Sequence, residues 1–500
     1  MGRIAVIGAG MGALAAAARL AVAGHRVTVY ERTETYGGAV RRFERDGFGF
    51  DTGPGLLPLP AVYRDLFVKT GKEPLEACVE LVQVDPCARH VFADGTEVSL
   101  PNASRAGVVS ALDDALGARA GQRWGDFLVR AREAWDRTRR PLLEEPLWPN
   151  WSVLADREPY PAVPHKRLLR TRQAGTLAEV GAWELRDPRL AALLEGHALA
   201  YGLDPRVAPA SAAVLPYMEH AFGTWYVRGG MRELARAVYE RCLARRVEFV
   251  FDAEVARVLE KDGRAAGVEL AGGTSQAFGS GGGTVAEADF VVAPGSVEGL
   301  PARADGEVTR QQGLPSRLTV LLALRGARPD GTAHRTVVHT ADREGELDSL
   351  FGTVPSVPAR PTVTVLRPDD PGLVPDGDRE AVTLSAVVPA GAEIHDEHVD
   401  ALVAVAERAV PGLRDRVLWR EVRTPADIAR ETGAAGGAVP APALAGVGGR
   451  LLHPANSTGL QGLFTVGGWS HPGGGLPHAG MSGALVSGLI VEGPEFRGSQ

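Results

Sequence analysis

The sequence predicts a mixed α/β protein (α+β overall). It combines a parallel-sheet unit split along the chain, a second β-sheet unit and an inserted helical cap. Three observations predict this. The chain opens on a strand, a glycine turn, an alanine-rich helix and a second strand; glycine-rich segments return near the C-terminus, where another strand runs into another helix. Between these ends, residues 100–215 carry helical spacing of apolar residues, whereas 315–390 carry β-rich runs.

The first element is Arg3-Ile-Ala-Val-Ile, followed by Gly8-Ala-Gly10-Met-Gly12-Ala13. Gly8 permits a tight turn, and Gly10 lets a pyrophosphate approach the backbone without meeting a Cβ. Ala13 is small enough for the helix to pack closely on the strand. The free N–H groups and positive dipole end at the helix start favour phosphate. The next strand, Val27-Thr-Val-Tyr, ends on Glu31, where a carboxylate can accept hydrogen bonds from a ribose. The fingerprint is therefore Rossmann-like in its full strand–turn–helix–strand context. Gly37-Gly38 follows, a turn that can admit more of a cofactor, with Arg41 or Arg42 near its phosphates.

Trp124 to Trp135 shows apolar residues three and four apart, and a Pro- and Trp-rich patch runs from Pro141 to Pro164. This stretch reads as a cap inserted into the nucleotide fold, mostly core, with some apolar residues available to a substrate cavity. Trp225-Tyr-Val-Arg228-Gly229-Gly230-Met231 turns into another helix. Val247–Phe251, Glu254–Glu260, Ala265–Leu270 and Asp289–Ala293 read as strands returning to complete the first sheet, with Gly272–Gly283 as a hairpin loop. Leu318–Leu324 and Ala381–Val388 suggest the second sheet, and Glu397–Val410 a helix stopped by Pro411-Gly412. His395-Asp-Glu-His398 has no apparent third ligand, so a metal site is not expected. Leu463-Phe-Thr-Val enters Gly467-Gly468-Trp-Ser-His471-Pro-Gly473-Gly474-Gly475-Leu476-Pro477-His478 and then an apolar helix. So many glycines let backbone pass close to something flat, and this second helix start would stabilise negative charge on a reduced flavin or a phosphate.

The 500 residues are 45% hydrophobic and 23% charged, with a net charge of −7. The length suits two or three units, and the charge gives nucleic acid no electrostatic support as a partner. Cys78, Cys87 and Cys242 form no paired motif, which fits unlinked thiols in a reducing compartment. The first strand leaves no room for a signal peptide, and no run approaches the roughly 18 apolar residues of a membrane span. The expected location is cytoplasmic, with a peripheral membrane contact left open.

Taken in order, these motifs resemble the FAD-dependent phytoene desaturase and carotenoid isomerase-like oxidoreductases, within the wider amine-oxidase and GDP-dissociation-inhibitor fold. The resemblance rests on Val6-Ile-Gly8-Ala-Gly10-Met-Gly12-Ala13, Glu31, Gly37-Gly38, Phe50-Asp51-Thr-Gly53-Pro54, Val227-Arg228-Gly229-Gly230-Met231, Thr424-Pro425-Ala-Asp427 and the Gly467–Pro477 segment. It spans nearly the whole chain. It implies a split Rossmann-like FAD-binding domain (1–70, 225–300 and 445–500), a β-sheet substrate-binding domain (71–100 and 301–444) and a helical cap insertion (101–224). By resemblance, Gly8, Gly10, Gly12 and Ala13 meet the pyrophosphate of FAD, and Glu31 the adenosine ribose. Arg32 and Gly38 lie beside the cofactor, and Val255 offers its backbone to the adenine. Gly468, Gly475 and Leu476 contact the flavin end. Three departures stand out: Ala13 for the third glycine, Ala39 for an arginine whose phosphate contact would pass to Arg41, and His478 for a glycine.

The resemblance implies dehydrogenation of an apolar polyene, carotenoid-like or polyketide-like substrate. A hydride goes to flavin N5, and the adjacent carbon loses a proton to a base. His is the side chain that titrates near neutrality when unperturbed, which makes His471 and His478 the candidate catalytic bases. With a single nucleotide fingerprint, the electron acceptor is expected to be oxygen, a quinone or another oxidant. A flavin amine oxidase, an FAD-dependent polyene isomerase and a non-catalytic prenyl or lipid carrier on the same fold are the alternatives.

Overall fold

A computed structural model describes residues 1–147, 152–165, 170–272, 284–295 and 314–498. Its nucleotide sheet is wholly parallel. Strands β1 (Arg3–Ile7), β2 (Arg26–Tyr30), β3 (Glu248–Val250), β4 (Phe290–Pro294) and β5 (Leu463–Val466) lie in the order β3-β2-β1-β4-β5. The central strand pairs Ile4 with Val27 on one side and with Phe290 on the other. Ile4, Val6, Val27, Val29, Val291 and Val292 are all buried, as a sheet covered on both faces requires. Helix α1 (Met11–Val22) is uncharged as far as Arg19, and Met11 to Ala18 are all buried. It packs against α2 (Arg232–Ala244) and α3 (Leu476–Val491), which joins the two ends of the chain.

Two of the strands expected in this sheet lie elsewhere. Val255–Lys261 and Arg264–Leu270 pair antiparallel with each other, and Val285–Glu287 adds a third strand. Arg257, Glu260 and Lys261 are exposed while Ala265 and Val268 are buried. A sheet with one wet face cannot occupy the interior of a parallel sheet buried on both faces. The Gly272–Gly283 loop lies outside the described residues, apart from its first glycine.

The second sheet has seven strands in the order Val417–Arg423, Pro315–Arg325, Arg379–Pro389, Val363–Leu366, Arg335–Val338, Ala88–Val91, Glu97–Leu100. The helix Asp396–Ala406 covers it, and Val399, Leu402 and Val403 enter the same core as Val320, Leu322 and Leu384. His395 and His398 form the capping box of that helix, the His395 N–H donating to His398 Nδ1 at 3.1 Å. Among the described residues, no cluster suited to a metal ion occurs.

The helices Arg105–Leu116, Ala120–Arg139, Pro188–Ala200 and Val214–Phe222 build the cap around Trp124, Phe127, Leu194 and Met218. Two of these helices have capped starts. Ser104 Oγ accepts the Gly107 N–H at 3.2 Å, and Asp187 accepts the Arg189 N–H at 2.8 Å just before Pro188. The three cysteines are free, and no helix of the described residues is long and apolar enough to cross a membrane.

Candidate flavin site

The site forms where the starts of α1 and α3 meet. At the β1–α1 turn, Gly8 has φ +82°, a conformation that side chains rarely adopt. Its amide donates to the Tyr30 carbonyl at 2.7 Å, tying the turn to β2. Glu31 is buried beneath it. Oε2 accepts the Ala9 N–H at 2.7 Å, and Oε1 accepts the Thr33 N–H and hydroxyl at 3.0 and 2.9 Å. The carboxylate is thus held in place, with a lone pair of Oε2 still free to accept.

Gly38 lies over Gly10, a Cβ on Gly38 falling 3.0 Å from Gly10 Cα. Arg41 braces this loop, donating from Nε to the Gly38 carbonyl at 3.0 Å and from Nη2 to Thr33 Oγ1 at 2.9 Å. Arg42 turns to the carbonyls of Gly229 and Gly372 instead. Arg32 is exposed, its guanidinium engaged by the Arg430 carbonyl at 2.6 Å. Val255, like Ile7 and Tyr30, packs against the core cluster of Ala5, Val268 and Val291, just after β3 passes Glu31.

Gly12 faces the far end of the chain. A Cβ there would sit 2.9 Å from the Ala479 carbonyl oxygen and 3.0 Å from Gly467 Cα, so its smallness serves the α1–α3 contact. The C-terminal glycines divide in the same way. A Cβ on Gly468 would be 2.6 Å from Pro440 Cγ, and one on Gly474 would be 1.8 Å from the Pro440 carbonyl oxygen. These close approaches are to protein. Beside Gly467, by contrast, a Cβ would meet nothing within 4 Å, and on Gly10 only Gly38 Cα at 4.0 Å. Helices α1 and α3 start on Gly10 and Gly475, which supply no capping side chain, and neither first turn holds an acid. Two uncapped helix starts, with open space beside Gly10 and Gly467, fit the negative charge of a dinucleotide and of a reduced flavin. Leu476 is buried, and its carbonyl accepts the Tyr63 hydroxyl at 2.9 Å, which anchors the start of α3.

The histidines differ from what unperturbed imidazoles would do. His471 is fully buried behind the glycine segment, and its Nε2–H donates to the Glu145 carbonyl at 2.9 Å. Burial pushes its pKa down to about 4. His478 is buried, its Nδ1 lacks a hydrogen-bond partner, and burial pushes its pKa down to about 3. His453 lies near both, with Nε2 donating to the Ala441 carbonyl at 2.7 Å and a pKa pushed to about 4. The expectation of a base titrating near neutrality is corrected: desolvation keeps these rings neutral. A pocket opens beside His478, walled by Trp135, Leu142, Leu143, Leu215, Met218 and Leu444, with Thr138, Arg139 and Ser211 among them.

Asp51 escaped the sequence reading as an individual residue, although its motif was noticed. Its carboxylate accepts the N–H groups of Met231 and Arg232 at 2.8 and 3.3 Å, capping the start of α2. Burial pushes it up to about 6. The Gly229 N–H and the Tyr226 hydroxyl donate to Asp370 at 2.6 and 2.7 Å. Two motifs far apart in sequence are thus one structural joint.

Comparison with known proteins agrees with this architecture. The model of the family described as flavin containing amine oxidoreductase matches residues 14–491. The chain is 30% identical to a hydroxyneurosporene desaturase of Rhodobacter capsulatus, covering 98% of this chain and 97% of that one. It is 28% identical to a 4,4'-diapolycopene oxygenase of Methylomonas sp, covering 98% of each. Among solved structures, an oxidoreductase from Methanosarcina mazei aligns with a TM-score of 0.62 at 17% identity, covering 97% of this chain and 99% of that one. A Rab GDI from Plasmodium falciparum aligns at 0.52 and 11% identity, covering 100% and 99%. The chain belongs to the flavin-containing amine oxidoreductase family and is an FAD-dependent oxidoreductase.

Proposed function

We propose that this enzyme desaturates an apolar polyene, carotenoid-like or polyketide-like, within the cavity that His478 borders. The observation that carries this is a neutral, unpartnered imidazole in a mainly apolar wall, which also holds Thr138, Arg139 and Ser211, beside the start of α3. The names of the relatives, carotenoid-acting over nearly the whole chain, support it.

FAD supplies a hydride acceptor when bound. The chain does the rest. Gly8, Gly10, Gly12 and Ala13 bring the start of α1 against the pyrophosphate, and the free lone pair of Glu31 receives a ribose hydroxyl. Gly38 and Arg41 line the same groove, and Arg32 and Val255 flank its adenosine end. Gly468, Gly475 and Leu476 shape the flavin end, where the start of α3 favours negative charge. The cap walls exclude water, and conjugation spreads charge along the substrate. His478 accepts the proton from the carbon next to the one oxidised through Nε2, since its Nδ1 is shut away from the cavity. His471 holds the glycine segment through Glu145; its Nδ1 also lacks a partner, but it does not line the cavity as His478 does.

In the same reading, 1–70, 225–300 and 445–500 serve the cofactor, 71–100 and 301–444 the substrate, and 101–224 closes the cavity. Oxygen or a quinone re-oxidises the enzyme, and a peripheral membrane contact delivers the water-insoluble substrate.

The test is anaerobic mixing of the purified yellow protein with polyenes and with amines, followed by mass spectrometry. Bleaching by polyenes with the gain of a double bond is the expected result. Bleaching by amines alone would overturn the reading in favour of an amine oxidase.

A further inference from the structure

Oxidation of a pure hydrocarbon leaves one part of the interior unused. Arg317 stands on the strand Pro315–Arg325, and Tyr201 follows the helix Pro188–Ala200. Both lie deep in the protein yet keep partial solvent access, as side chains lining an internal void do. Tyr201 and His478 both border the start of α3, since a Cβ on Gly475 would lie 3.8 Å from Tyr201 Cε1 and 3.2 Å from His478 Nδ1.

The neighbouring charges are compensated. Arg335 and Glu219 form a paired contact, one N–H···O arm at 3.0 Å, and His197 Nε2 lies 3.7 Å from the same carboxylate. Arg317 has no such carboxylate partner among the described residues, where its guanidinium donates only to the Ala200 carbonyl and no carboxylate lies within ion-pair distance. The acidic group its charge feels is the Tyr201 phenol, which burial pushes up to about 12 and so keeps neutral. A desolvated guanidinium without an anion is costly, and its fork matches two carboxylate oxygens, with a phenol O–H beside it as a further donor.

We propose that the substrate is a polyene acid whose carboxylate is received by Arg317 and Tyr201 while its chain runs past His478. This rests on the polyene reading above and adds the acidic end. Anchoring that end sets which C–H bonds stand at the reacting position, so Arg317 is a specificity-determining residue.

The experiment titrates flavin-loaded wild type, Arg317→Gln and Arg317→Lys with all-trans-retinoic acid and with its methyl ester. Binding is followed by perturbation of the flavin spectrum. Wild type is expected to prefer the acid by about 10- to 100-fold, or roughly 1.4–2.8 kcal/mol. Arg317→Gln loses that preference while binding the ester as wild type does, and Arg317→Lys keeps part of it. Thermal melting checks the fold: without a buried guanidinium that lacks a carboxylate partner, Arg317→Gln melts no lower than wild type. Equal affinity of wild type for acid and ester overturns the proposal. So does an acid preference that survives in Arg317→Gln together with a shifted flavin potential, which would assign the guanidinium to the cofactor. Reduction by neutral polyenes without acid preference leaves desaturation standing and removes only the acidic end. Failure of every polyene to perturb or reduce the flavin removes both.

Discussion

Gly483 is the tightest point between the two helices that frame the cofactor. Its ideal Cβ would lie 2.6 Å from the Gly12 carbonyl oxygen and 2.8 Å from both Ala15 Cβ and Ala16 N. Two of these three neighbours are backbone atoms and cannot rotate away. Gly483→Ala gains about 1 kcal/mol of helix propensity in the interior of α3. Against this stands overpacking, about 1–3 kcal/mol and here at the upper end because backbone must move. The net expectation is a loss of about 2 kcal/mol. The displaced start of α1 should also release FAD more readily. Gly377→Ala is the matched control: a Cβ there meets nothing within 4 Å, so it should be neutral or gain up to about 1 kcal/mol. Urea midpoints and flavin content after dialysis measure both effects. A Gly483→Ala protein that unfolds at or above the wild-type midpoint, with the same slope and full flavin, would refute the packing argument.

Glu31→Ala strips the acceptor from the Ala9 and Thr33 donors, costing about 1–3 kcal/mol and most of the bound flavin; full retention of FAD on dialysis would count against the ribose role. His478→Leu should lower turnover by about 10²- to 10⁴-fold while the flavin spectrum persists, and unchanged turnover would remove it as proton acceptor. Acid stability carries a sign that can be worked out. The imidazole of His471 takes its proton at about 4 when folded but at 6.5 when unfolded, so stability falls as pH drops from 6.5 towards 4. Glu158, Glu195 and Glu346, pushed by burial up to about 7 from 4.5, act oppositely, losing stability as pH rises across that window. The informative quantity is therefore the difference: His471→Asn should flatten the acid-side loss relative to wild type in urea midpoints taken between pH 4 and 6.5. A parallel curve would show that His471 does not titrate as its burial requires.

Much of the fold was legible because local patterns coincide with global ones. The apolar β1 strand, the Ala-rich α1 and the cap helices each carry a period of their own, and some of the helices a start signal, as Asp187-Pro188 is. The strands at Val255–Lys261 and Arg264–Leu270 were misassigned because a strand's residues do not name its partners. Their wet face becomes informative only beside a sheet whose faces are both covered. The lowered basicity of the histidines was hidden for a related reason: an imidazole's pKa belongs to its surroundings, and the Glu145 carbonyl that fixes His471 lies 326 residues away. Arg317 gave no signal at all, since an arginine on an apolar strand becomes unusual only once its neighbours are known to lack a counter-charge.

The glycine motifs show where this boundary falls. A glycine in sequence states that a Cβ is unwelcome, not what would collide with it. In the folded chain Gly12, Gly468 and Gly474 make room for Gly467, Pro440 and the Ala479 carbonyl, all protein, whereas Gly10 and Gly467 border open space. Gly12 lets segments more than 400 residues apart in the chain touch, at Ala479, while Gly468 and Gly474 let Pro440 close on the C-terminal segment. Gly10 and Gly467 leave the gap that these contacts create. The pyrophosphate end and the flavin end are therefore not two independent sites that happen to adjoin. Each uncapped helix start is aimed by the other, so a substitution that separates α1 from α3 should weaken the hold on both ends of the cofactor at once.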